Sequence, residues 1–291
     1  MISVIIATQN RHEDLTRLLP ELKKVEIPDF EIIIVDNNST DGSLEFVSEN
    51  HPDIKLIRLH WNSAGITGRN IAAKNSKNSI LISLDDDAII TPKTFDKILY
   101  RFNNDSELGV IPCSVINGDK VEDRDKYEDS LEDDKVGKEV FSGTACGLAF
   151  RKEIFEKCGY WEDWGQEAPF ELSLILKCLA LGYQVKRFDD INVFHYHSPS
   201  VSRNSTLAQF SATKSWVWWY IKFYPIRDLM KNILRIIYLS CYAVIEQRTF
   251  LYIYAVFSSI KQIPKIFNEE RNAYSIDILD RIRTTDNFKG G

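Results

Sequence analysis

Three consecutive carboxylates, Asp85, Asp86 and Asp87, follow the apolar run Ile80-Leu81-Ile82-Ser83-Leu84 in a chain of 291 residues. Adjacent acids repel one another unless something positive sits among them. A divalent cation held by one or two carboxylates plus substrate phosphates is the economical answer, and magnesium or manganese suits such oxygen ligands. The run before the acids reads as a strand buried on both faces of a parallel sheet, whose carboxyl end is where open α/β sheets bind ligands. The competing reading is a solvated acidic turn.

Other polar residues end strand-like runs in the same way. Thr8 and Asn10 follow Ser3-Val4-Ile5-Ile6-Ala7, Asp36 follows Ile32-Ile33-Ile34-Val35, and Asn62 follows the run from Ile54 to Leu59. In a parallel sheet these tips lie side by side and form a crevice for a nucleotide. A carboxylate at Asp36 could accept the imide N–H of a pyrimidine base, or it could simply cap the turn Asp36-Asn37-Asn38-Ser39. Arg69, in Gly65-Ile66-Thr67-Gly68-Arg69-Asn70, suits a diphosphate, although a lone helix arginine is often a surface charge. No GxGxxG or GxxxxGK[ST] run is present, so dinucleotide and P-loop readings lose support.

The elements that must position these residues alternate. Strands are expected at 3–8, 31–36, 54–59 and 80–84, with helices after Asn10, after Asp41-Gly42-Ser43, and over 64–77. This βαβαβαβ order predicts an α/β fold, a doubly wound and mainly parallel sheet with right-handed crossovers. A strand over 108–116 is expected next. Residues 118–139 hold ten acids and five bases, which predicts a long mobile solvated loop. A strand over 141–150, a helix over 169–181 and strands near Val185 and Val193 complete the prediction.

Composition is that of a globular protein: 44% hydrophobic, 27% charged, and a formal net charge of -6 that argues against nucleic acid as a partner. The five cysteines, Cys113, Cys146, Cys158, Cys178 and Cys241, have no C-x-x-C spacing, and no leader-like segment opens the chain. A cytoplasmic, reducing location is the expectation. The C-terminal quarter differs in kind. From Tyr220 to Phe267 there are seven Lys or Arg against two acids, and ten aromatics. Two helical patterns there, over 226–245 and 249–263, fall short of the ~20 uncharged residues that spanning a bilayer requires. They fit a helical appendage packed on the sheet, a homodimer interface, or a basic-aromatic surface lying on the anionic inner face of a cell membrane. The expected division is an α/β domain with a nucleotide crevice over 1–215 and the helical region over 216–291.

In order, Ser3-Val4-Ile5-Ile6-Ala7-Thr8-Gln9-Asn10-Arg11, Val35-Asp36-Asn37-Asn38-Ser39-Thr40-Asp41-Gly42-Ser43, Gly68-Arg69-Asn70, Leu84-Asp85-Asp86-Asp87, Gly147-Leu148-Ala149-Phe150-Arg151 and His195-Tyr196-His197 closely resemble the inverting nucleotide-sugar glycosyltransferases of the A-type fold, over about residues 1–205. The resemblance implies a metal-dependent transferase that moves a hexosyl or deoxyhexosyl unit from a UDP- or dTDP-sugar to a hydroxyl of a glycan or lipid-linked acceptor in surface polysaccharide synthesis. It places Thr8 and Asp36 on the nucleobase and Arg69 on the base or diphosphate. Asp85 and Asp87 match the ends of the Asp-x-Asp motif, with Asp86 able to substitute for either. Asp87 is the first choice for manganese or magnesium, and His195 or His197 the histidine that reaches metal or diphosphate.

The family's general base lies in an acidic motif that opens a helix, here Gly165-Gln166-Glu167-Ala168-Pro169-Phe170-Glu171-Leu172. The match is irregular, because Glu167 stands alone. Glu167 is the expected base, Glu171 the runner-up on the same helical face, and Asp163 the third candidate. Trp161 and Trp164 flank this motif and offer rings for stacking on an acceptor sugar, or plain packing. Two further classes stay open: a nucleotidyltransferase that makes sugar nucleotides, and a noncatalytic carbohydrate-binding scaffold.

Overall fold

The computed structural model describes residues 1–63, 65–164, 169–196, 206–246 and 248–283. From the N-terminus, β1 (Ile2–Thr8), α1 (His12–Leu22), β2 (Glu31–Asp36), α2 (Ser43–Asn50), β3 (Lys55–Arg58), α3 (Ile66–Lys74) and β4 (Ile80–Ser83) alternate as the apolar runs predict. There follow β5 (Ala88–Ile89), α4 (Pro92–Asn104), β6 (Leu108–Pro112), β7 (Ser114–Asn117), α5 (Arg124–Asp129), β8 (Lys138–Glu139) and β9 (Leu148–Arg151). Then come α6 (Lys152–Lys157), α7 (Phe170–Ala180), β10 (Gln184–Arg187) and β11 (Asn192–His195). The helical remainder is α8 (Thr206–Phe223), α9 (Ile226–Glu246), α10 (Leu251–Ser259), the short α11 (Ile263–Lys265) and α12 (Ile276–Arg283).

Eight strands form one sheet in the order β3-β2-β1-β4-β9-β6-β10-β8. β1 pairs parallel with β2 and β4, and β2 with β3, while β9 runs antiparallel to both β4 and β6. Strand side chains alternate between faces, and the core divides accordingly. Val4, Ile6, Ile32, Ile34 and Ile82 join Leu15, Leu18 and Leu22 of α1 and Phe95 of α4 on one face. Ile5, Ile33, Val35 and Leu81 join Ala72 and Ala73 of α3 and Leu174 of α7 on the other. Helices on both faces explain why these runs are continuously apolar. A second sheet, β5-β11-β7, sits at the strand tips.

Glycine is required where backbones approach. A Cβ on Gly68 would stand 3.1 Å from Ala7 Cβ and 3.2 Å from Ser63 Oγ, so α3 lies close against the end of β1. Gly147 has φ +74°, and a Cβ there would meet Val193 Cγ1 at 2.8 Å, which fixes the turn carrying Cys146 into β9.

Three expectations are corrected. The strand over 108–116 is two strands in different sheets, β6 and β7, divided at Cys113. The strand expected over 141–150 is only β9. The segment 118–139 is largely exposed, as expected, but it is not all loop: it contains α5 and β8, and Glu128, 3% exposed, accepts from Thr94 Oγ1 at 2.7 Å and from the Thr91 hydroxyl. Asp133 pairs with Arg101 at 2.7 Å. Charge composition gave no sign of Glu128, whose threonine partners lie on α4 and just before it.

Helix α8 runs across the expected boundary between 215 and 216. Its Trp218, Trp219 and Phe223 share a buried cluster with Leu176 of α7, Leu229 of α9 and Leu279 of α12. Buried Glu162 joins this region to the sheet domain by accepting from Lys177 and, at 2.7 Å, from Lys222. Both amines are mostly shielded from water, so Glu162→Gln is expected to lower unfolding stability by about 2–3 kcal/mol. An unchanged urea midpoint would show that these pairs contribute nothing.

Candidate active site

The site grows from strand ends. Thr8 and Asp36 close β1 and β2 as register partners. Leu84 donates its N–H to Ile5 O, which carries the acids after β4 along the end of β1. Thr8 Oγ1 then donates to Asp86 Oδ2 at 2.8 Å, and Arg11 Nε lies 3.6 Å from Asp86 Oδ1. Burial pushes the Asp86 carboxyl up to about 7, against the pull of Arg11 and Thr8. Asp86 therefore faces β1, whereas Asp85 pairs with Arg69 and Asp87 with His195.

His195 closes β11 opposite Ala88 of β5, a register that sets it beside the acids. Its Nε2 stands 2.9 Å from Asp87 Oδ1 and 3.8 Å from Asp85 Oδ2. Tyr196 N–H donates to Asp87 O and pins the two segments together. Arg69, in the first turns of α3, forms an ion pair with Asp85. Cys146, which the sequence reasoning missed, brings its Sγ into the same place: ligand atoms of Asp85, Cys146 and His195 lie within 4.8 Å of one another. No spacing signal marked it. Carboxylates and an imidazole at these separations fit a divalent ion such as manganese, while burial pushes the Cys146 thiol well above its ordinary value and keeps it protonated beside them.

Asp36 is 1% exposed; its Oδ2 accepts from Ser39 N–H at 3.1 Å, and its buried Oδ1 has no protein partner. A buried carboxylate oxygen left without a donor is costly unless a ligand supplies one. Asn37 braces the neighbouring loop by accepting from Ser63 N–H at 3.1 Å. Asn10, at φ +53°, ties the β1 and β2 loops: its N–H donates to Ser39 Oγ, and its Oδ1 accepts from Thr40 N–H. Asn62 is exposed at the rim and donates to Gln9 Oε1 at 2.7 Å.

Glu171, in the first turn of α7, is half-buried and accepts from Ala145 N–H at 3.1 Å. Burial pushes its carboxyl up to about 7, opposed by backbone N–H donors and by Arg69. Ala145 is the neighbour of Cys146, so Glu171 borders the acid and histidine cluster. Glu167 and His197 lie outside the described residues, and Asp163 is exposed. Trp161 is a correction. It is 2% exposed, edge-on to Phe150, Phe155 and Phe170, and leaves no face for a sugar. Trp164 is half-buried against Trp218 and Phe223 of α8.

A mixed, mainly parallel sheet flanked by helices, with an acid and histidine cluster at its strand tips, has the architecture of the A-type glycosyltransferase fold. The chain belongs to glycosyl transferase family 2, whose model matches residues 3–159, and it is therefore a transferase. It is 26% identical over 225 residues to an uncharacterized glycosyltransferase of Haemophilus influenzae, covering 72% of this chain and 74% of that protein. It is 32% identical over 122 residues to the poly(ribitol-phosphate) β-N-acetylglucosaminyltransferase TarS of Staphylococcus aureus, covering 40% of this chain and 21% of TarS. Among solved structures, the mannosyltransferase PcManGT of Pyrobaculum calidifontis, in complex with GDP-Man and Mn2+, superposes with a TM-score of 0.56 at 20% identity, over 74% of this chain and 61% of that one. TarS 1–349 in complex with UDP-GlcNAc gives 0.56 at 20% identity, over 73% and 64%. The chain thus spans less than two thirds of both solved relatives.

Proposed function

We propose that this transferase is metal-dependent and inverting, and moves a sugar from a UDP- or dTDP-sugar to a hydroxyl of a glycan or lipid-linked acceptor in surface polysaccharide synthesis. The observation that carries the reading is the juxtaposition of Asp85, Asp87, His195 and Arg69 with the unpartnered Oδ1 of Asp36, at the ends of adjacent strands. TarS, whose structures hold UDP and UDP-GlcNAc, supports a uridine donor and a cell-envelope glycan. PcManGT, which holds Mn2+, supports the metal. The catalytic machinery falls within residues 1–215, with the C-terminal helices appended to it.

Asp36 Oδ1 accepts the imide N–H of uracil or thymine, and Thr8 and Asp86 line the crevice beside the ribose. Asp87, Asp85 and His195 would hold the divalent ion, which would supply Lewis-acid neutralisation of the diphosphate charge. Arg69 exchanges part of its Asp85 pairing for the diphosphate and stabilises the negative charge that develops there. The acceptor oxygen attacks the anomeric carbon from the face opposite the diphosphate. A C–O bond forms, the bond to the diphosphate oxygen breaks with its electron pair, and the hydroxyl proton passes to a carboxylate. We assign that carboxylate to Glu171, on the strength of its raised pKa and its place beside Ala145.

Two measurements test this. Screening nucleotide sugars with manganese should release nucleoside diphosphate; release of pyrophosphate would instead indicate a nucleotidyltransferase, and release of neither a scaffold. Asp36→Asn should raise the donor KM roughly 10–100-fold with kcat little changed, because one charge-assisted hydrogen bond is lost in ground and transition state alike.

A further inference from the structure

We propose that the solvent face of α9, extended by α10, docks on an anionic phospholipid membrane. On α9, Ile226, Met230, Leu234, Ile237, Tyr238 and Ile245 are between 43% and 76% exposed. At about 100° per residue they fall within one sector roughly 120° wide. Leu229, Asn232, Ser240 and Ala243, the buried side of the helix, lie opposite. Arg227, Lys231 and Arg235, all exposed, run along one edge of the apolar sector. The helix therefore has one side packed on the protein and one bare side, apolar along Ile226 to Ile245 and edged by Arg227, Lys231 and Arg235, with exposed Tyr242 and Leu239 beyond them.

The apolar strip from Ile226 to Ile245 is about 29 Å long, from a rise of about 1.5 Å per residue. Phe250, just before α10, and Tyr254 and Phe257 on it add rings that are 66–70% exposed. Clusters of exposed apolar side chains of this kind mark interaction surfaces. No helix among the described residues is long and apolar enough to cross a membrane, and a helix that lies in the interface plane needs no such length.

Charge selects the occupant. A two-fold dimer sets the same patch against itself. Arg227, Lys231 and Arg235 outnumber Asp228 and Glu246 on this helix, so two faces of net positive charge would meet. An anionic headgroup layer instead places negative charge along the basic edge while acyl chains take the apolar sector. The segment is basic in a chain of net charge -6, so the attraction is local to this face.

Vesicle sedimentation of the full chain tests the proposal, and it is independent of the transfer reaction, which is followed separately by nucleoside diphosphate release. The protein should bind phosphatidylglycerol-containing vesicles, bind phosphatidylcholine vesicles much more weakly, and be released by salt. Each base near an anionic surface is worth about fivefold, so Arg227→Glu with Lys231→Glu and Arg235→Glu should weaken binding roughly 10²-fold. Leu234→Asp with Tyr238→Asp should weaken it on both vesicle types. Both variants should keep the wild-type melting temperature and diphosphate release. Absence of binding by the folded protein overturns the proposal. So does binding that these variants leave intact, or a lipid-free dimer that Leu234→Asp with Tyr238→Asp converts to monomer.

Discussion

Glu171→Gln is expected to lower kcat by about 10²–10⁴-fold while leaving donor affinity nearly intact, the usual loss when a positioned general base is removed. The carboxyl stands at about 7, raised by burial, so it is largely protonated in mild acid and becomes a competent base as pH rises through that value. The wild-type kcat/KM should therefore climb about tenfold per pH unit below roughly 7 and level off above it. The Gln variant should lose this limb. Stability has its own sign. A carboxyl with a raised folded pKa favours the native state most below its unfolded value, and that contribution fades as pH rises from 4.5 to about 7. The paired variant Glu167→Gln decides the assignment. If it is inactive with the pH limb gone while Glu171→Gln turns over normally, the two glutamates exchange roles.

Asp87→Ala is expected to lower turnover by roughly 10²–10³-fold, the scale of losing a group that stabilises developing charge. The carboxylate stands 2.9 Å from His195 Nε2, and its backbone oxygen holds Tyr196 N–H. The substitution removes a charge but leaves that backbone bond, so the strand end should persist. Calorimetry provides a readout apart from turnover. UDP should bind the wild type more tightly with manganese than with chelator, and Asp87→Ala should lose that difference. Equal affinity under both conditions in the wild type would remove the metal from the proposed reaction.

Much of the fold was legible because the information was local. Continuous apolar runs ending in Thr8, Asp36 and Asp85 mark strands buried on both faces, and those strands are β1, β2 and β4. Residues at the ends of neighbouring parallel strands are brought together by pairing alone, which is why Thr8, Asp36 and the aspartates could be grouped from one sequence. Arg69 was legible for a similar reason, since Gly68 permits the close approach of α3 to β1.

What only the tertiary structure decided depends on long-range partners. Which aspartate faces which neighbour follows from the tips of β1 and β11: Thr8 and Arg11 take Asp86, while His195 takes Asp87. Cys146 enters the cluster through an antiparallel return, β9 beside β4, that no spacing announces. Trp161 looked like a sugar platform in a polar loop, yet Phe150, Phe155 and Phe170 close around it. Among the mostly exposed acids of 118–139, Glu128 is buried because its partners Thr91 and Thr94 lie more than 30 residues away, which composition does not show. Composition already assigned the C-terminal helices a basic and aromatic character. Only packing determined which stripe of α9 meets the protein and which remains bare, because an amphipathic pattern states that a face must be buried but not what buries it.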